Sequence, residues 1–140
     1  MVSYVLDSSV VIKWFINEED SEKAEKYLIQ LEEGKIDIFI PDSLYYECAN
    51  VFWVRRPDGI TLDDALYFLE ELLSIEFKPV LPLDILTKAQ ALSFKEDISI
   101  YDSVFLALAE LKNCEFITAD KRLYNKIRER FPYVKFLKEI

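Results

Sequence analysis

The sequence predicts an α/β fold organised around a parallel sheet. Three observations predict it. Short apolar, β-like runs alternate with longer stretches of helical pattern along the whole chain. One of those stretches, Val104-Phe105-Leu106-Ala107-Leu108-Ala109, is apolar on every side, as in a helix buried deep against a sheet. No linker, low-complexity tract or internal repeat divides the 140 residues, so residues 1–140 are expected to form a single domain able to bury its own core.

The elements follow in order. Tyr4-Val5-Leu6 is an apolar run ended by Asp7 and reads as the first strand. Ser8 to Phe15 reads as a short helix, and Glu19 to Glu33 as an amphipathic helix stopped by Gly34. Ile36 to Ile40 is the second strand, closed by Pro41. Asp42 or Ser43 caps a helix from Leu44 to Val54, and Arg55 to Gly59 is a turn. Thr61 caps the next helix, which runs to Leu73. Glu76 to Leu81 is the third strand, and Asp84 to Phe94 a further helix. Ser99 and Asp102 have the spacing of a capping box opening the apolar helix that ends near Lys112. Glu115-Phe116-Ile117 is the fourth strand, Lys121 to Phe131 the last helix, and Val134 to Leu137 the fifth strand.

Composition removes whole classes of chemistry. The chain has no histidine, which excludes Ser-His-Asp triads, Cys-His pairs and HExxH zinc sites. Its two glycines, Gly34 and Gly59, leave no phosphate-cradling P-loop or dinucleotide loop, so no nucleotide cofactor is expected. Two cysteines, Cys48 and Cys114, are too few for a zinc or iron–sulfur site. Carboxylates, hydroxyls, lysine and arginine remain. No apolar window reaches the roughly 18 residues of a membrane span. The opening Met1-Val2-Ser3-Tyr4 lacks the basic start of a secretory signal, so a reduced, cytoplasmic protein is expected. With 17 basic against 26 acidic residues the formal charge is −9, the opposite of a generic nucleic-acid binder but compatible with carboxylates gathered around a cation.

Four acids occupy unusual places. Asp7 ends the first strand, and Asp120 lies just past the fourth. In a doubly wound sheet the carboxyl ends of the strands share one edge, and ligands bind where the strand order reverses. If the first and fourth strands are neighbours, the two acids converge there. Asp102 sits in the first turn of the most apolar helix, and Glu47 falls on the apolar face of its own helix. Asp7 and Asp120 also suit ordinary helix caps, and Asp102 suits the acidic half of a capping box. Crowded carboxylates repel one another, and a hard divalent cation relieves that repulsion. Oxygen-only ligation points to magnesium or manganese, the ions of phosphodiester hydrolysis.

Val5-Leu6-Asp7-Ser8-Ser9-Val10, Glu47 in its helix, Tyr101-Asp102-Ser103 and Phe116-Ile117-Thr118-Ala119-Asp120 together resemble the acidic motifs of PIN domains, and the small size resembles the VapC ribonuclease toxins of toxin–antitoxin pairs. The resemblance extends from Val2 to Leu137. It implies a three-layer α/β/α domain with a five-stranded parallel sheet of order 3-2-1-4-5. It implies an endoribonuclease dependent on Mg2+ or Mn2+. Asp7 and Asp102 would be the principal metal ligands, with Glu47 and Asp120 completing the set. Thr118 would orient a carboxylate or water, and Ser8 is given no catalytic role. A small antitoxin protein is the implied partner.

Lys13, Arg55, Arg56, Lys121 and Arg122 are candidates to contact RNA, and Trp14, Phe15 and Trp53 to stack on bases. Tyr45, Tyr46, Phe52 and Trp53 cannot all face one stripe of their helix, and Tyr67 and Phe68 follow on the next. A homodimer through these two helices is expected. Cys48 reads as a small buried apolar residue. Competing readings are a PIN-type RNA-processing nuclease without an antitoxin, and a non-catalytic binding module whose acids are only caps. A phosphotransferase would want a second Asp where Asp7-Ser8-Ser9 has serine, and a phosphoacceptor module fits Asp42 and Lys138 poorly.

Overall fold

In the computed structural model, which describes residues 1–140, strands and helices alternate as expected. The strands are β1 (Val2–Leu6), β2 (Ile36–Pro41), β3 (Lys78–Val80), β4 (Glu115–Thr118) and β5 (Val134–Phe136). All pairings are parallel, and the strand order is β3-β2-β1-β4-β5. Parallel strands with right-handed crossovers require helices on both faces. The helices are α1 (Ser8–Val11), α2 (Ser21–Glu32), α3 (Ser43–Val54), α4 (Leu62–Ser74), α5 (Pro82–Glu96), α6 (Ile100–Lys112) and α7 (Lys121–Ile127). The β1–β2–β3 half winds one way and the β4–β5 half the other. The direction reverses between β1 and β4.

Helix α6 explains its sequence. It lies across β1, β2 and β4 and is flanked by α5. Ser103 through Ala109 are all buried, so no face of that stretch needs polar residues. Beneath it, Val5, Leu6, Phe116 and Ile117 are fully buried from the two central strands. The short edge strand β3 carries Pro79, whose missing N–H is tolerated at an edge. Helices α5 and α6 end on Asp97 (φ 54°) and Asn113 (φ 52°), two non-glycine residues in the left-handed conformation that terminates helices.

Several boundaries differ from the sequence reading. The segment after Asp7 is α-helical only to Val11 and then tightens into a 3-10 turn over Ile12–Trp14. The third strand is only Lys78–Val80, because β2 offers it three partners. Helix α5 starts earlier than Asp84, with Pro82 at its first turn, where a proline loses no hydrogen bond. Helix α7 ends at Ile127 instead of Phe131.

The capping motif predicted at Ser99 is half made. Ser99 Oγ accepts from the Asp102 backbone N–H at 3.1 Å, but the Asp102 carboxylate does not reach back to close the box. The complete box is at α4. There Thr61 Oγ1 accepts from Asp64 N at 3.1 Å and Asp64 Oδ2 accepts from Thr61 N at 3.0 Å. Asp102 is therefore released from capping. No helix is long and apolar enough to cross a membrane.

Candidate active site

The register of the sheet builds the site. Leu6 pairs with Ile117, so the next residues along, Asp7 and Thr118, emerge side by side at the carboxyl edge where the winding reverses. Asp7 is only 6% exposed. Thr118, fully buried, donates its hydroxyl to Asp7 Oδ2 at 2.5 Å and accepts from the Asp120 backbone N–H at 3.1 Å. Asp7 Oδ1 accepts from Ser9 N at 3.1 Å and from the Ser9 hydroxyl. Ser9 Oγ in turn accepts from Ala119 N at 2.8 Å. The first acid is thus clasped from both the β1–α1 and β4–α7 turns.

Sequence reasoning missed Ser9. The available signal was its place two residues past a strand-end acid, from which a serine side chain reaches back to the carboxylate.

The other three carboxylates approach from separate elements. Glu47, half-buried one turn into α3, accepts from Ser43 Oγ at 3.3 Å. Asp102 rises from the first turn of α6, with the Ser99 hydroxyl beside its carboxylate. Asp120 is exposed and caps α7, its Oδ1 accepting from Leu123 N at 3.0 Å. Burial pushes the Asp7 carboxyl up to about 6, against the pull of Ser9 and Thr118, and the charges of Asp102 and Asp120 add to the rise. Burial raises Glu47 to about 7, helped by Asp7 and Asp102. Asp102 is raised by burial and then by Asp120.

Cap and cluster member are therefore compatible roles. Asp7 and Asp120 both cap helices, as the plainer sequence reading held, and both contribute charge to the cluster. The donor set is all oxygen, with the Asp7, Glu47 and Asp102 carboxyls held above their ordinary range, which suits a hard cation. No three of the side chains close on a single point. A magnesium-sized ion that keeps several of its waters does not require a closed cage.

The basic candidates separate into two groups. Lys13 bonds Glu18 at 3.1 Å and the Glu19 carbonyl at 2.7 Å, and Arg55 bridges Glu18 at 3.1 Å and Asp58 at 2.6 Å. These two tie the end of α1 to the end of α3. Arg56 lies over the Trp53 ring at 4.3 Å and donates to the Trp53 carbonyl. Lys121 and Arg122 are exposed beside Asp120 and take part in no ion pair. The aromatic candidates divide likewise. Trp14 stacks on Phe77 and Phe15 meets Phe52 edge-on, so both serve packing, while Trp53 stays exposed. Cys48 is fully buried, its thiol pushed far up by burial.

Away from the acids, a groove of about 500 Å³ runs between α2 and α4. Trp14, Phe15, Leu31, Tyr67 and Phe68 line it, and Glu32, Glu71 and Glu76 rim it.

The sequence pattern of the PIN domain matches residues 4–129. This chain belongs to the PIN domain family. Among PIN relatives, it is 33% identical over 133 residues to Ribonuclease VapC3 of Pyrobaculum aerophilum, a match covering 91% of this chain and 94% of that one. Solved structures share its fold. The crystal structure of PAE2754 from Pyrobaculum aerophilum superposes with a TM-score of 0.67 at 22% identity, over 99% of this chain and 92% of that one. A toxin–antitoxin complex from Klebsiella pneumoniae also gives 0.67, at 21% identity over 98% and 99% of the two chains. Mycobacterium tuberculosis VapC20, a sarcin–ricin loop cleaving toxin, gives 0.61 at 12% identity over 83% and 87%.

Proposed function

We propose that this PIN domain, residues 1–140 acting as one unit, is a divalent-metal-dependent endoribonuclease and the toxin half of a toxin–antitoxin pair. The observation that carries the reading is Asp7. It is a carboxylate at the point where the sheet reverses, clasped by Ser9 and Thr118 and raised by its burial, with two further acids adding to the rise. Such an arrangement destabilises the empty protein and is relieved by a cation. Similarity to a protein named as a ribonuclease, over nearly the whole length of both chains, supports the same class.

Asp7 and Asp102 would hold Mg2+ or Mn2+, with Glu47 and Asp120 completing the acidic ring. A bound ion supplies a more acidic water and offsets the charge that builds on the phosphoryl oxygens. The protein's own residues do the positioning. Thr118 and Ser9 fix the Asp7 carboxylate through both of its oxygens, so it cannot rotate out of the site. Asp120 keeps Oδ2 free while Oδ1 holds the helix. Water activation without the RNA 2′-hydroxyl predicts a 5′-phosphate product.

The partner reading rests on charge and on the groove. A chain of net charge −9 with an aromatic groove rimmed by glutamates suits a basic, amphipathic antitoxin segment. The exposed Tyr46, Trp53, Leu62, Leu66 and Tyr67 on α3 and α4 support a homodimer through those helices. A cytoplasmic setting suits two free cysteines. The test is cleavage of a fluorescent RNA with Mg2+, Mn2+ or EDTA, by the native chain and Asp7→Asn, with a matched DNA as control. Cleavage that needs metal, spares DNA and is lost in Asp7→Asn is the expected result. No cleavage with either metal would leave the acids as caps of a binding module.

A further inference from the structure

The charge of this chain is unevenly distributed. Five of its 17 cations fall within residues 121–130, where Glu129 is the one acid, although the whole molecule carries −9. This basic segment begins at the residue after Asp120. Two of its cations are committed to structure. Arg130 pairs with the buried Glu96, and Lys126 bonds the Asp97 carbonyl and carboxylate, so both pin α7 to the end of α5. The other three, Lys121, Arg122 and Arg128, are exposed and unpaired with any acid. Arg128 rests on the Tyr124 ring at 5.3 Å, and Tyr124 is stacked on Phe136, which limits where the guanidinium can go. Lys121 opens α7 and Arg128 is its C-cap, seven residues on and on the same side of the helix, about 10 Å further along its axis, with Arg122 about 100° round from Lys121.

An acidic enzyme acting on a polyanion needs a local patch to hold the strand against the repulsion of the rest. We propose that Lys121, Arg122 and Arg128 form that patch, a track for successive phosphates of the RNA strand leading away from the carboxylate cluster along α7. The proposal rests on the ribonuclease reading for the identity of the strand. Lys13 and Arg55 are not part of the track, because Glu18, Glu19 and Asp58 already occupy them. The division is between cations that build the fold and cations left free beside the site.

The experiment measures binding and cleavage separately. Anisotropy of a fluorescent single-stranded RNA of mixed sequence is followed across a salt series, with Ca2+ replacing Mg2+ so that binding is read without turnover. Variants are the triple Lys121→Ala/Arg122→Ala/Arg128→Ala, the conservative pair Arg122→Lys/Arg128→Lys, and a charge control, Lys35→Ala/Lys112→Ala, at the amino edge of the sheet. Each lost phosphate contact to a single strand removes about 0.7 from the log–log salt slope, or about 5-fold in affinity near 0.1 M salt. The triple variant should therefore lose about 2 in slope and roughly 100-fold in affinity. In Mg2+ it should raise KM while leaving kcat at saturating RNA within about 3-fold, the signature of lost binding shared by ground and transition states. The lysine pair should keep most of the affinity.

Equal binding by the triple variant and the native chain overturns the track and leaves the basic face to an acidic protein partner. An equal loss in the Lys35/Lys112 control also overturns it, since long-range charge alone would then account for the effect. A native chain that binds RNA through these residues but cleaves with neither metal supports the track and ends the nuclease reading. A native chain that binds no RNA ends the track.

Discussion

Replacing Asp7 with asparagine should make the metal-free protein more stable at neutral pH. Asp7 is 6% exposed, and its carboxyl sits at about 6 against an ordinary 3.8. The cause is burial, with the Asp102 and Asp120 charges adding to it. The sign follows from linkage. The folded chain holds the Asp7 proton more tightly than the unfolded chain does, so its contribution to stability is full below pH 3.8 and falls as pH rises through about 6. At pH 7 the ionised group costs the fold about 3 kcal/mol. Asparagine keeps the shape and removes the charge, although its amide cannot accept from both Ser9 and Thr118, a loss of about 1 kcal/mol. The net gain is about 2 kcal/mol, or about 6 °C in melting temperature for a chain of this size. Thermal melts in EDTA at pH 7 and pH 4 test it. The gain should disappear at pH 4, where the native carboxyl is already protonated in the folded state. In saturating Mg2+ the order should reverse, because only the native chain gains binding energy. An Asp7→Asn variant that melts below the native protein at pH 7 without metal would refute the reasoning, and Asp7 would then be a favourable cap.

Asp120→Asn separates cap from cluster: its Oδ1 can still accept from Leu123 N, so stability should change by less than about 0.5 kcal/mol while cleavage falls at least about 10-fold, as read by paired melts and initial rates. Ser9→Ala strands the Ala119 N–H and leaves Asp7 Oδ1 with only the residue-9 backbone N–H, so it should cost about 1–3 kcal/mol in a urea titration and about 10-fold in kcat. Because the metal-free Asp7 and Glu47 carboxyls sit at about 6 and about 7, cleavage at limiting metal should decline as pH falls through that range and recover when more metal is added, which a metal titration at each pH checks. Light scattering at micromolar concentration should give the mass of two chains, and Trp53→Asp on the exposed face of α3 should return it to one.

The architecture was legible because the signals were local and repeated. Strand and helix periods alternated, and a helix such as α6 that is apolar all round has few places to go. The candidate site was legible because acids ended strands or interrupted apolar helix faces, where a carboxylate needs a reason. What stayed hidden depended on contacts between distant segments. The Ser9 to Ala119 hydrogen bond joins residues 110 positions apart, and no spacing rule foresees it. The failure of the Ser99–Asp102 box has the same origin. Its sequence matches the motif, but the carboxylate stays short of the Ser99 backbone N–H and sits half-buried within reach of the Asp120 charge. The fate of Lys13 and Arg55 was equally invisible, since composition counts cations without saying which are already paired.

A cluster of carboxylates and a helix cap look like rival explanations of the same residue, and here the two roles are compatible. A carboxylate has two oxygens. In Asp120 one is held by the backbone of α7 and the other is left outward, so the cap sets the angle at which the free oxygen faces the cluster. In Asp7 both oxygens are held, one by the turn that follows β1 and one by Thr118, the last residue of β4, so its position reports the register of the two central strands. A shift of that register by one residue would carry Thr118 away from Asp7 and turn side chains to the opposite face. The site is therefore fixed by the same pairing of Leu6 with Ile117 that seals the core. The core can hold the repelling carboxylates in place because the hydrophobic contacts that fix them are fully buried, while the charges lie just beyond the strand ends, within reach of solvent and of a cation.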